Sequence, residues 1–125
     1  MKIDRLDHLV LTVADIDASI AFYVGVLGME AVSFGAGRRA LAFGSQKIIL
    51  HPATAPLKPH ALAPTPGSAD LCLITTTPVA EVLRHLEACG VAVEEGPVPR
   101  TGAVGPIMSV YFRDPDGNLI EVSNY

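Results

Sequence analysis

Leu6-Asp7-His8-Leu9-Val10-Leu11-Thr12-Val13 decides the fold, because a version of it returns later in the chain. The segment alternates and is rich in Leu and Val, the pattern of a half-buried β-strand. Shifting the sequence by 62 residues puts His8 on Asp70, Leu9 on Leu71, Leu11 on Leu73 and Gly28 on Gly90. After the first copy, Asp15 is placed to cap a helix in which Ile16, Ile20, Tyr23, Val24 and Leu27 fall on one face, with Gly28 as its permissive end. Three strand-like runs follow, Glu30–Phe34, Arg39–Phe43 and Lys47–His51, separated by glycine turns. After the second copy (Ala69–Thr76), Thr77-Pro78 reads as an N-cap with proline in the first helical position. Val79, Val82, Leu83 and Leu86 form the stripe of that helix, and Gly90 ends it. Val91–Glu95, Ile107–Arg113 and Asn118–Ser123 read as strands, with residues 96–106 as a loop and Asp114-Pro115-Asp116-Gly117 as the last turn. A further shift, of 72 residues, lays Lys47–His51 over Leu119–Ser123. The expected architecture is α+β: two paired β-α-β-β-β modules, residues 1–52 and 68–125, forming a curved eight-stranded mixed sheet around a cleft. Residues 53–67, dense in proline, read as the linker between them.

Composition narrows the function. Half of the 125 residues are hydrophobic and 18% are charged, so the chain has material for a core and is not disordered. Nine Lys and Arg against thirteen Asp and Glu give a net charge of −4, with no basic stripe to collect phosphates; nucleic acid is excluded as a partner. Cys72 and Cys89 make no disulfide framework and no CxxC pair, which points to thiols in a reducing compartment. The acidic opening lacks the apolar stretch of a signal peptide, and Asp15 and Asp17 interrupt the most apolar region, Leu9 to Met29. A cytoplasmic protein that does not enter membranes is expected.

Side chains on a strand alternate between faces, so each strand divides into two sets. Leu9, Leu11 and Val13 oppose His8, Val10 and Thr12; Ile48 and Leu50 oppose Lys47, Ile49 and His51. Leu71 and Leu73 oppose Asp70, Cys72 and Ile74; Met108, Val110 and Phe112 oppose Ser109, Tyr111 and Arg113; Ile120 and Val122 oppose Leu119, Glu121 and Ser123. One set of each strand is apolar and suits packing under a helix. The other mixes polar and ionisable groups, and His8, His51, Asp70 and Glu121 all fall on it. Histidine with carboxylates on a concave surface is the composition of a divalent-metal site, and equally of a general acid–base cluster. Arg100, in a Pro/Gly-rich loop, together with Tyr111, Arg113 and His51, are the candidate substrate-binding side chains.

The paired module, the opening around Leu6–Val13, the helix ending Phe22-Tyr23-Val24-Gly25-Val26-Leu27-Gly28-Met29 and the closing Tyr111–Val122 resemble the vicinal oxygen chelate superfamily of glyoxalases, bleomycin resistance proteins and extradiol dioxygenases. Glu95-Gly96-Pro97-Val98-Pro99-Arg100-Thr101-Gly102-Ala103, with Gly105-Pro106-Ile107, resembles its small glyoxalase-domain-containing branch. The resemblance implies a metal set of His8, Asp70 and Glu121 holding Mn, Mg, Fe, Ni or Zn. It also implies Glu121 as the catalytic group, a homodimer, and a lactoylglutathione-lyase-like or isomerase-like step on a small oxygen-bearing molecule. The chain departs from the family pattern where the fifth-strand position, usually histidine, is Asp70, and where the fourth-strand glutamate of glyoxalase I falls on Ile49. The alternatives are a non-catalytic drug- or metabolite-binding protein of the bleomycin-resistance type and a relative of the ring-cleaving dioxygenases.

Overall fold

A computed structural model describes residues 1–125, which divide into two units, Met1–Pro66 and Gly67–Tyr125. The first contains β1 (His8–Val13), α1 (Ile16–Gly25), β2 (Glu30–Phe34), β3 (Arg38–Phe43) and β4 (Gln46–Pro52). Their sheet runs β1-β4-β3-β2, with β1 parallel to β4 and the other pairs antiparallel. Leu11 pairs with Leu50 and Leu9 with Ile48, so the apolar sets of β1 and β4 share the face that carries Leu41 of β3. Leu11, Val13, Leu41, Ile48 and Leu50 are buried, each stabilising the unit by roughly 1.5–3 kcal/mol. The proline-rich segment after β4 falls within this first unit.

Asp15 caps α1 as its sequence position implies, its carboxylate accepting from the Ala18 N–H at 3.1 Å. The helix stops earlier than its apolar pattern suggests, at Gly25, and Gly28 (φ +67°) lets the Met29 N–H return to the Tyr23 carbonyl at 3.1 Å. Ser19 and Tyr23 are its buried residues, while Val24 is exposed. α1 is apolar on most sides, so spacing alone does not single out the face that packs.

The second unit repeats the order: β5 (Asp70–Ile74), α2 (Val79–Ala88), β6 (Glu95–Thr101), β7 (Pro106–Arg113) and β8 (Leu119–Asn124). Its sheet runs β5-β8-β7-β6, again with one parallel pair, β5 with β8. Val82 and Leu86 of α2 are buried, as are Val110, Phe112, Ile120 and Val122 of the sheet. The eight strands therefore hydrogen-bond as two four-stranded sheets.

Two expectations about this unit change. The strand placed at Val91–Glu95 lies instead at Glu95–Thr101, across Pro97 and Pro99. Proline lacks an N–H and fits only where one side of a strand needs no partner, and β6 pairs with β7 alone at the sheet edge. A register irregularity between Glu95 and Val98 accommodates Gly96 (φ +115°), where a Cβ would stand 2.5 Å from the Ser109 carbonyl oxygen. Thr77 does not cap α2 either. Pro78 holds the N-cap position and offers no side-chain bond, while Asn124, at the end of β8, accepts from the Val79 N–H at 2.8 Å. The same amide donates to the Thr75 and Thr77 carbonyls at 2.8 and 2.7 Å. The Asp114 turn forms as expected: its carboxylate accepts from the backbone N–H groups of Asp116 and Asn118 and from the Asn118 side chain.

Candidate functional site

In the second unit, strand pairing lays Cys72 beside Glu121, Glu121 beside Tyr111, and Tyr111 beside Glu95, one row across all four strands. Period-two alternation brings these side chains to the face opposite the buried Ile120 and Val122. Above the row is a cavity of about 370 Å³ lined by Cys72, Arg100, Ile107, Tyr111, Glu121 and Tyr125, among others. Arg100 donates through Nε to the Tyr111 oxygen at 3.0 Å and through Nη2 to Glu95 Oε1 at 3.2 Å, with its guanidinium 5.4 Å from the Tyr111 ring centroid. The Tyr125 hydroxyl accepts from the Val104 N–H at 3.1 Å, tying the β6–β7 loop to the same cavity. A Cβ on Gly102 would lie 2.7 Å from that hydroxyl, 2.9 Å from Ile107 and 3.0 Å from the Gly105 carbonyl oxygen, so a larger residue there has to displace the Tyr125 and Ile107 side chains.

The electrostatics follow from this packing. Burial pushes the Tyr111 phenol above its ordinary range, against the Arg100 hydrogen bond, and the neighbouring Glu121 carboxylate adds to the rise. Tyr111 is thus a protonated donor at neutral pH. Burial likewise pushes the Cys72 thiol up, reinforced by Glu121 and Asp70 and partly offset by its contact with Ser123. Cys72 is therefore a poor nucleophile and a poor thiolate ligand. Ser123 contacts Ser109 at 2.7 Å and donates to Glu121 Oε1 at 3.4 Å, so the acid is supported from beneath.

Of the candidate residues, Arg100, Tyr111 and Glu121 come together in this cavity. Arg113 is held elsewhere, in a two-bond grip on Glu94 (3.1 and 3.0 Å) and a bond to the Gly117 carbonyl that braces the Asp114 turn. Asp70 sits exposed at the start of β5. His8 and His51 belong to the first unit. His8 is exposed and bonded through Nδ1 to Asp7 at 2.8 Å. His51 is buried at 4% exposure on β4, beside Thr12 of β1. Glu95, which holds Arg100, and Tyr125 went unnoticed in the sequence because the first lay at the end of a misplaced strand and the second beyond the last one.

The superfamily pattern often includes a divalent ion. An imidazole and two carboxylates suit a hard or borderline cation by chemistry. Within neither unit do three His, Cys, Asp or Glu side chains converge as a metal-holding group, and the fourth-strand position carries buried Ile49. The donor set is incomplete in each unit taken alone.

The model of the glyoxalase/bleomycin resistance protein/dioxygenase superfamily matches residues 5–122. The chain is 58% identical over 125 residues to virulence protein STM3117 of Salmonella typhimurium, covering all of this chain and 87% of that protein. The crystal structure of that virulence protein superposes with a TM-score of 0.99 over 100% of this chain and 99% of that one. The glyoxalase domain-containing protein RDO1 of Mycosarcoma maydis is 54% identical, over 100% of this chain and 70% of its own length. Lactoylglutathione lyase from Agrobacterium tumefaciens has a TM-score of 0.76 at 26% identity, over 99% of this chain and 96% of that one.

Proposed function

Because this chain belongs to the glyoxalase/bleomycin resistance protein/dioxygenase superfamily, we propose that it is a glyoxalase-like lyase or isomerase acting on a small oxygen-bearing organic acid. The observation that carries this reading is the convergence of a cation, a phenol and a carboxylate (Arg100, Tyr111 and Glu121) around one cavity of the second unit. Arg100 pairs with the anionic group of the substrate, exchanging its contact with Glu95. Glu121 takes a proton from the carbon next to a carbonyl, and Tyr111 donates to the oxygen on which negative charge develops. Return of the proton from Glu121 to the adjacent carbon, with the hydroxyl proton passing to the former carbonyl oxygen by way of the Tyr111 hydroxyl, completes an isomerisation with no net change in atoms. A positioned base contributes about 10²–10⁴-fold in such reactions, and a donor to the developing oxyanion about 10²–10³-fold.

The test is proton exchange at the substrate carbon in deuterated water, across α-hydroxy carbonyl compounds with lactoylglutathione as the first member. Glu121→Gln removes exchange and turnover, and Tyr111→Phe lowers turnover about a hundredfold. A ligand that binds equally well to wild type and Glu121→Gln, with no exchange in either, replaces the enzyme reading with a metabolite- or drug-binding one. Ile49, where a glyoxalase I-like pattern has an acid, is the observation that favours that second reading. The metal version takes His8, Asp70 and Glu121 as ligands. It is tested by metal content of chelator-free protein beside His8→Ala, and a content that His8→Ala does not lower rejects it.

A further inference from the structure

The outer surface of α2 carries two metal-ligating side chains that the proposed reaction does not use. His85 lies in the last turn of the helix, and Cys89 is its C-cap residue. Residues four apart on a helix stand one above the other on a single face, so the two side chains meet. The Cys89 sulfur is 3.6 Å from His85 Nε2, and both residues are exposed. Cys89 is a free thiol, and neither residue lines the second-unit cavity.

We propose that His85 and Cys89 form a two-donor surface site for a tetrahedral divalent cation that accepts sulfur, with Zn²⁺ as its type. The site does not depend on the reaction assigned to the second-unit cavity. A tetrahedral ion about 2.3 Å from a thiolate sulfur and about 2.0–2.1 Å from an imidazole nitrogen holds those two atoms about 3.6 Å apart. The helix already sets that separation between Sγ and Nε2, so an ion seats between them with little rearrangement. The ion replaces the proton that the two atoms share: the S–H bond breaks, a sulfur–metal bond forms, and the proton leaves to solvent. His85, in its Nδ1–H tautomer, gives the Nε2 lone pair to a second position, and water fills the other two.

The position of the pair suits a cation. The last carbonyls of a helix carry partial negative charge, and Cys89 sits at that end of α2. Along the helix, Glu81 and Glu87 outnumber the single guanidinium of Arg84, with Glu81 one turn before His85 on the same stripe. Donor softness selects the ion: a thiolate and an imidazole suit Zn²⁺, whereas Mg²⁺ and Ca²⁺ take oxygen ligands. Cys72, the other thiol, does not compete, because burial keeps it protonated and its contact is with Ser123. No third His, Cys, Asp or Glu side chain joins the pair, so the site is open and exchangeable rather than a closed structural one.

The probe is Co²⁺, which occupies tetrahedral Zn²⁺ sites and shows a sulfur-to-metal charge-transfer band only when a thiolate is bound. Wild type develops the band, and Zn²⁺ displaces it. Cys89→Ser removes the band, and His85→Ala weakens binding about a hundredfold, the loss of the second tethered donor. Circular dichroism establishes that each variant is folded. If a variant does not fold, wild type supplies the test: Zn²⁺ slows alkylation of Cys89 by iodoacetamide, read by mass spectrometry of the peptide that contains it, and Mg²⁺ does not. Absence of the band, a band that survives Cys89→Ser, equal affinity in folded His85→Ala, or alkylation of Cys89 unchanged by Zn²⁺ overturns the proposal. So does a band lost on Cys72→Ser and kept on Cys89→Ser, which would place the thiolate ligand in the second-unit cavity.

Discussion

Arg100 reaches the second-unit cavity already engaged, with Tyr111 on one donor and Glu95 on another. A ligand carboxylate that replaces Glu95 meets a guanidinium oriented in advance, so Arg100→Ala is expected to weaken binding of an anionic ligand about tenfold to a hundredfold, measured by titration calorimetry. His51 makes a separate prediction about stability. Its folded-state protonation is held below the ordinary 6.5, so the unfolded chain takes up the proton first as pH falls. Stability is full above 6.5 and declines as the solution is acidified from there toward the folded value. In denaturant titrations His51→Leu flattens that decline relative to wild type. Alternation along the strands was enough to put Tyr111 and Glu121 on one face, because side-chain direction in a ladder is a local property. The commitment of Arg113 to Glu94 was not legible, since that pair depends on where the chain runs before β6.

At the level of elements, the informative cases are those where a distant residue completes a local structure. α2 starts without a capping side chain of its own, and Asn124 supplies three hydrogen bonds at its start from the far end of β8. Asn124→Ala is expected to destabilise the protein by about 1–3 kcal/mol, more than the ~1 kcal/mol for Asp15→Ala at α1, both read from chemical denaturation. Gly96→Ala is expected to cost about 2–4 kcal/mol, because a Cβ there meets the Ser109 carbonyl oxygen and the backbone is left-handed. Sequence reading located both helices, and the strands other than β6, from periodicity and turn residues. It misplaced β6 because prolines mark loops unless the strand is at an edge, and edge position is a property of the sheet. It set the packing face of α1 by spacing, and Tyr23 of that face is buried, but Ser19 joins it and Val24 is exposed, since apolar residues surround the helix.

For the whole molecule, the 62-residue repeat was the legible feature, and it appears as two sheets of identical strand order. Each sheet has two edges: β1 and β2 in one unit, β5 and β6 in the other. Open edges invite pairing, and natural proteins cover them. Sedimentation at micromolar concentration is therefore expected to give twice the monomer mass, and a monomer there rejects the homodimer. The chain has no tryptophan and three tyrosines, and Tyr111 and Tyr125 both line the second-unit cavity while Tyr23 is buried in the first. Two of its three ultraviolet emitters thus stand where a guest would arrive, so the native fluorescence of the unlabelled protein is an optical readout of occupancy in that cavity.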